Sequence, residues 1–514
     1  MRRVYRWEKI DKQIEMIPFE CGFSHELNGN NRWIRLAHTI PWNELEARYA
    51  KCFGPGKKGK PAFSARIALG SLLIQTILKT TDQETVAQIR ENPYLQYFLG
   101  LKAYTMKPII DSSSLARFRK RLSLEDWQAL NEALVNTFKK KESEKETGTK
   151  ALSLETKREE TEEPPSSDQR RGQLILDATC IPSDIAYPTD LDLLNQAREK
   201  AEAILDEQYA SDTRKGIETG KKPRTYRKIA RRDYLRVAKK PKARKKEIRK
   251  AIGKQLRYLR RDIQHIETRL EEDRGWPLSP ANAKALEVVK AVYAQQKQMH
   301  ETKRCYCEHR IVSLGQPYIR PIKRGKKSHA TEFGAKVAIN LTEGYTQIDR
   351  LSWENFNEST LLQDSVERYK AQSGYYPEAV LVDKLYRNRE NIRYCQERGI
   401  RLSGPRLGRP REETKEEKRW ARLDARGRNP VEGKFGEGKR RYSWGLNKGK
   451  RQQTSEANIY LAAIAMNIAR FMRRYSFYFF LLFDRRKKTP DFGPFSVLYP
   501  ILSRFFFLYR GLFH

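Results

Sequence analysis

Two apolar runs in this chain each carry one aspartate: Leu174 to Ile181 reads L-I-L-D-A-T-C-I, and Ala379 to Asp383 reads A-V-L-V-D. Continuous apolar runs of this length are the pattern of strands covered on both faces. An ionised carboxylate in such a strand is costly unless it is paired, hydrogen-bonded or bound to a cation, so Asp177 and Asp383 each need a partner. In one reading each pairs with a nearby Lys or Arg. In the other the strands are neighbours, and the carboxylates converge near a sheet edge, where α/β domains often place ligands. There they would share a hard divalent cation, Mg²⁺ or Mn²⁺, which prefers oxygen donors and keeps some of its waters. With two such ions, one lowers the pKa of an attacking water or 3′-hydroxyl and the other stabilises the leaving oxygen. In-line displacement at phosphorus then needs no protein nucleophile.

The bulk charge points to the ligand. With 102 Lys and Arg against 64 Asp and Glu, the formal charge of +38 repels itself unless a polyanion neutralises it, and nucleic acid is the expected partner. Basic charge alone supplies only non-specific, salt-sensitive attraction to phosphates, so it sets the ligand class and not the activity. The six cysteines are scattered, with no C-x-x-C pair of the kind a structural zinc site uses, and reduced thiols in a cytosolic protein are expected. The start, M-R-R-V-Y-R-W-E-K-I-D, lacks the apolar core of a signal peptide, and Phe477 to Phe483 is too short to span a bilayer. The expectation is a soluble, cytoplasmic protein with no membrane partner.

A chain of 514 residues implies two or three domains. Ala65 to Leu78 has the density of a buried helix, and T-D-Q-E from Thr81 caps another. Ser112, Ser113 and Ser114 precede L-A-R-F-R-K-R-L and read as caps rather than nucleophiles. Arg117, Arg119, Lys120 and Arg121 make that helix basic, and Ser123 to Asp126 caps one more. An all-α N-terminal DNA-binding domain over 1–138 is expected, then a charged linker over 139–171. After the Asp177 strand, 191–303 reads as a basic helical insertion. Leu256, Leu259, Ile263, Ile266 and Leu270 form one apolar stripe on a cationic helix; it reads either as a solvated helical hairpin or as a segment lying along a DNA backbone, the second favoured by its excess of Lys and Arg.

Strand signals resume with A-K-V-A-I-N-L and T-Q-I-D-R-L-S-W around Glu343-Gly344-Tyr345, a hairpin pattern. A helix from Ser359 to Gln372, the A-V-L-V-D strand, a helix over R-E-N-I-R-Y-C-Q-E-R, a short strand I-R-L-S, a basic loop and a helical region containing Glu432 complete the order. The fold class expected over 172–474 is therefore α/β, a ribonuclease-H-like mixed sheet with a large helical insertion after its first strand. The aromatic tail over 475–514 has no assigned role.

Several stretches carry a resemblance. D-A-T-C-I-P-S-D-I-A-Y-P-T-D-L-D-L-L-N-Q-A-R-E resembles the first catalytic region of DDE transposases of bacterial insertion sequences. Further matches follow in the same order: R-P-I-K-R-G-K-K-S-H-A-T-E-F-G-A-K, P-E-A-V-L-V-D-K-L-Y-R-N-R-E-N with C-Q-E-R-G-I, and R-N-P-V-E-G-K-F-G-E-G-K. E-N-P-Y-L-Q-Y-F-L-G and S-S-L-A-R-F-R-K-R-L resemble the N-terminal domain of these proteins, so the likeness runs from about Phe63 to Arg473. It implies Mg²⁺ (or Mn²⁺) dependence with two ions per site, and catalytic, metal-binding roles for Asp177 and Asp383. It also implies binding to double-stranded DNA at the element's terminal inverted repeats and at the target, joining of a 3′-hydroxyl end to that target, and a homodimer or larger assembly near the nucleoid.

For the third carboxylate Glu432 and Glu437 compete. The family pattern R-x3-E-x6-K is met by Arg428, Glu432 and Lys439, and the step from Glu432 to Lys439 keeps both on one helical face, whereas Glu437 sits about 140° away. Glu432 is chosen, although Ala425 stands where the family often has tyrosine and Gly433, Gly436 and Gly438 are poor helix formers. Asn429, Pro430 and Glu432 also read as a helix start, with Asn429 as cap. Arg428, Lys439, Arg117, Arg119, Arg121, Arg324 and Lys326 are the candidate phosphate contacts. Two rival readings remain: a DNA-binding repressor without catalysis, and a metal-dependent nuclease that never joins strands.

Overall fold

The computed structural model describes residues 27–53, 61–153, 170–214, 222–271, 278–323, 331–408 and 414–485. Seven helices come first: α1 (Arg32–Thr39), α2 (Trp42–Ala50), α3 (Ala65–Leu78), α4 (Asp82–Glu91), α5 (Pro93–Phe98), α6 (Ser112–Arg119) and α7 (Leu124–Ser153). Their starts follow the expected chemistry, with Ser64 capping α3, Thr81 capping α4, and Ser123 and Asp126 exchanging bonds at the head of α7. At α6 the cap is Asp111 and not the serine run: its carboxylate accepts the Ser114 N–H and the Ser113 and Ser114 hydroxyls, a charged acceptor being favoured at the positive end of a helix.

The segment expected as a linker from 139 begins as the continuation of α7. Glu142 is buried there because Tyr345, Arg470 and Arg474 all bond its carboxylate.

β1 (Gln173–Pro182) is followed by α8 (Asp190–Arg214), α9 (Arg227–Ala238), α10 (Lys245–Glu271) and α11 (Pro280–Thr302), the expected helical insertion. It has its own core of Leu194, Ala197, Ile204, Leu259, Ile266, Val289 and Val292. The α10 stripe is buried from Leu256 to Ile266 but is open at Leu270.

Then come β2 (Arg320–Lys323), β3 (Thr331–Thr342), β4 (Tyr345–Ser352), α12 (Leu362–Ser373), β5 (Ala379–Leu381), α13 (Arg389–Glu397), β6 (Arg401–Leu402), α14 (Lys415–Arg441) and α15 (Gln452–Arg485). The sheet runs β2-β3-β1-β5-β6, with β4 also paired to β3. β1 is antiparallel to β3 and parallel to β5, so the sheet is mixed. Leu174, Leu176, Val380 and Val382 face α12 and α13, while Ile175 and Leu381 face α14 and α15.

One apolar core passes from the first helices through α15 to the sheet. Phe138 of α7 stacks on Phe471 at 4.4 Å, and the Asn131 and Asn467 amides both donate to the Thr346 carbonyl.

The helix carrying Glu432 does not start at Asn429. It begins at Lys415 behind a Thr414–Glu417 capping box and runs through Pro430. Proline inside a helix forfeits one backbone bond, and the burial of Val431, Lys434 and Gly438 against the core holds the helix across it.

The described cysteines Cys52, Cys180, Cys305, Cys307 and Cys395 are free thiols. Among the described residues no helix is long and apolar enough to cross a membrane.

Candidate active site

The two aspartates are brought together by strand register. Ile175 of β1 lies opposite Leu381 of β5 in a parallel pair. Asp177 and Asp383 each lie two residues further on, so they share a level and, by the period of two along a strand, a face. That is the face on which α14 packs. Gly427 of α14 sits so close to Leu381 that a Cβ there would be 2.6 Å from Leu381 Cδ1, and this approach delivers the next residue, Arg428, to the carboxylates.

The Arg428 guanidinium lies 3.7 Å from Asp383 Oδ1 and 4.0 Å from Asp177 Oδ2. Both distances exceed hydrogen-bond reach, and the buried Nε of Arg428 has no partner among the described residues. The aspartates are thus neutralised at a distance by one shared cation and not locked into separate ion pairs.

Burial pushes the Asp177 carboxyl up to about 6; the Ala178 N–H at 2.7 Å and Arg428 oppose this, while Glu358 and Asp383 reinforce it. Asp383 accepts the Lys384 N–H at 2.7 Å and its side chain is more open, 46% exposed against 20% for Asp177.

Glu358, in the turn before α12, stands near enough to raise the Asp177 pKa and is itself held by Lys336 at 2.9 Å. Below lies Tyr386, buried, its hydroxyl pushed far up in pKa by burial first and then by Glu358 and Asp177. Neither residue was singled out from the sequence. Glu358 sits in N-F-N-E-S, a turn composition with no periodic pattern to show that it folds back onto β1.

Glu432 lies one turn beyond Arg428 on the same face of α14, exposed and with no hydrogen bond or ion pair among the described residues. Glu437 points elsewhere: its carboxylate accepts from Lys434 at 3.0 Å and Arg473 at 3.3 Å, stitching α14 to α15. Burial acts to raise its pKa, and these two cations more than offset it. Among the described residues no three His, Cys, Asp or Glu side chains stand close enough to hold a metal ion. The structure therefore brings Asp177, Asp383 and Arg428 together and leaves Glu432 outside that group, one turn further along α14.

The other candidates are dispersed. Lys439 is half-buried in the last turn of α14. Arg117 bonds Asp111, Arg119 is tied to Asp82 and Gln75, and Arg121 lies over the Phe53 ring at 4.4 Å. Arg324 and Lys326 lie outside the described residues.

Residues 380–469, which include most of β5, Asp383 and the whole of α14, match the family model of the transposase DDE domain. Residues 23–121, over the first helices, match that of a transposase domain (DUF772). A relative from Rhizobium meliloti, "Uncharacterized protein ORF8 in nfe locus", is 29% identical over 164 residues, covering 32% of this chain and 68% of its own length. No solved structure matches. The chain thus carries two segments similar to transposase domains, in order, the second enclosing Asp383, Arg428 and Glu432.

Proposed function

We propose that this chain is a DDE transposase that cuts DNA at the ends of a mobile element with divalent metal ions and joins the freed 3′-hydroxyl to target DNA. The observation that carries the reading is the β1–β5 register, which sets Asp177 and Asp383 side by side beneath Arg428. A sheet with four antiparallel-linked strands, β1 to β4, and two parallel ones, β5 and β6, supports a ribonuclease-H-like domain.

The donor set suits a metal. Two carboxylates with hard oxygens share one face of the sheet, and burial pushes that of Asp177 up to about 6. The cation they share among the described residues, Arg428, is beyond bonding distance, whereas Mg²⁺ takes oxygens at about 2.0–2.1 Å. Asp177 and Asp383 would hold the metal, with Glu432 the further carboxylate from the same face of α14. When bound, such ions activate water or a 3′-hydroxyl and stabilise the leaving oxygen at phosphorus.

The chain's own residues supply the positions. The sheet fixes two carboxylates at one level, and Arg428 offers its forked donors to a phosphate once the carboxylates have another cation. The excess of Lys and Arg attracts the backbone. Two element ends require two active sites, so a dimer or larger assembly on DNA is part of the proposal.

The test incubates the full chain and Mg²⁺ with DNA carrying the element's end and with a target plasmid, beside Asp177→Asn. Nicking at the end and joined products, both lost in Asp177→Asn and in EDTA, are expected. Binding without Mg²⁺-dependent cleavage overturns the enzyme reading, and nicking without joining leaves a nuclease.

A further inference from the structure

A second cationic feature lies away from the aspartates. A cleft of about 670 Å³ opens between the first helices and the end of α14, walled on one side by the α3–α4 junction and α6 and on the other by the loop from Tyr442 to Arg451. Eight Lys and Arg line it against one acid, Asp82, which is already tied to Arg119. Lys120, Arg440, Arg441, Lys448 and Arg451 make no side-chain ion pair among the described residues.

A solvated basic surface would let such charges spread. Here a pinned loop holds them together. Trp444 Nε1 donates to the Ile459 carbonyl, the Asn447 amide to the Ser455 carbonyl, and the Gly449 N–H to Asn447 Oδ1. At Gly449 a Cβ would be 2.8 Å from the Ser455 backbone, so the loop closes only without a side chain. Like charges converging from two walls repel unless a polyanion lies between them.

We propose that this cleft binds a single unpaired strand of DNA. It is too small to enclose a duplex, whose major groove alone is about 12 Å wide, while one strand at about 3.4 Å per phosphate fits for a few nucleotides. Single-strand sites join a basic groove to surfaces on which bases stack. Tyr442, packed against the core and lining the cleft, and the exposed Leu446 provide such a surface. Lys79 also reaches across from α3 to the Arg440 carbonyl at 3.5 Å, so a bound strand would touch the segments of both family matches.

The inference takes from the proposed function only that the ligand is DNA. Its test is run in EDTA with no cleavage, so its failure and that of strand transfer are read separately. Fluorescence anisotropy of a labelled oligothymidylate of about twelve nucleotides, and of a duplex of equal length, is followed across salt. The full chain is compared with a cleft triple (Arg441→Gln, Lys448→Gln, Arg451→Gln) and a charge-matched triple on the insertion (Lys242→Gln, Lys245→Gln, Lys246→Gln), with equal melting temperatures as the check on folding.

The cleft triple is expected to lose about tenfold or more in single-strand affinity and about 2 units of salt slope, at roughly 0.7 per cation removed, while its duplex affinity falls no further than that of the insertion triple. Tyr442→Leu is expected to weaken strand binding severalfold with the salt slope unchanged. Equal single-strand losses in the two triples, or a cleft-triple loss as large for duplex as for strand, overturn the proposal.

Discussion

Arg428 brings its positive charge within 3.7 Å of Asp383 and 4.0 Å of Asp177, so a divalent cation settling between the aspartates must displace that charge. A charge at 4 Å is worth about 4 kcal/mol at an effective dielectric of about 20, and part of this survives solvent screening. Arg428→Gln is therefore expected to bind Mn²⁺ about tenfold tighter by calorimetry, even as it loses grip on DNA; unchanged or weaker Mn²⁺ binding would count against the arrangement. Glu432 and Glu437 separate by the same logic. Glu432→Gln should cut Mg²⁺-dependent nicking on the order of a hundredfold or more, the scale for removing one group that stabilises transition-state charge, with no change in melting temperature. Glu437→Gln should keep nicking and lose about 2–3 kcal/mol of stability, because it strands the buried Lys434. The reverse pattern would transfer the role to Glu437. Asp177 and Asp383 were legible in the sequence because a carboxylate inside an apolar strand advertises a need for a cation. Glu358 was not, since only the return of the chain after β4 brings it to β1.

At the level of elements the α14–β5 contact deserves the strictest test. Gly427 has no room for a side chain, its Cβ falling 2.6 Å from Leu381 Cδ1. Gly427→Ala should destabilise by about 1–3 kcal/mol through overpacking and push Arg428 off the aspartates, seen as a lower melting temperature with altered Mn²⁺ affinity; an unperturbed variant would mean that α14 is less closely seated. The insertion offers a second case. Asp262 on α10 is fully buried, neither carboxyl oxygen has a hydrogen-bond partner among the described residues, and its pKa is pushed up to about 7, first by burial and then by Glu202, against Arg261, Arg198 and Arg227. The folded chain thus holds this proton more tightly than the unfolded one. Its cost to stability is absent in acid, grows as pH rises from about 4 to about 7, and is complete above that. Asp262→Asn should stabilise by about 3 kcal/mol at pH 8 and by nothing near pH 4; a gain independent of pH in denaturant melts would be the wrong result. Periodicity marked most elements, including the α10 stripe and both aspartate strands. It missed β2, whose four residues R-P-I-K are too short to alternate, and placed the start of α14 at Asn429-Pro430 because a proline after asparagine reads locally as a helix start, while tertiary burial of Val431 and Lys434 carries the helix through it.

Across the whole molecule, the sequence separates an N-terminal helical segment from the sheet by a charged stretch, and composition alone cannot say which apolar faces meet. The core answers that: Trp127, Leu130, Leu134 and Phe138 of the first helices join Ile464, Ile468 and Phe471 of α15 and Tyr345 and Ile348 of β4 in one cluster. The insertion keeps a separate cluster around Leu259 and Val289. Cooperative units follow contiguous cores, so amide hydrogen exchange of the full chain should show 190–302 opening as one unit and the first helices opening together with β3, β4 and α15 as another. Asp262→Asn at pH 8 should raise the protection of the first unit alone. The same division makes a truncation informative. A chain beginning at 170 would leave Ile464, Ile468 and Phe471 without partners, an apolar face of the kind that marks interaction or aggregation, and it should bind a hydrophobic dye or precipitate, while 190–302 expressed by itself should fold and melt cooperatively. If instead the first helices exchange ahead of the sheet and the chain from 170 is soluble and compact, the shared core is not what holds the two family segments together, and their coupling would have to come from the DNA proposed to bridge them.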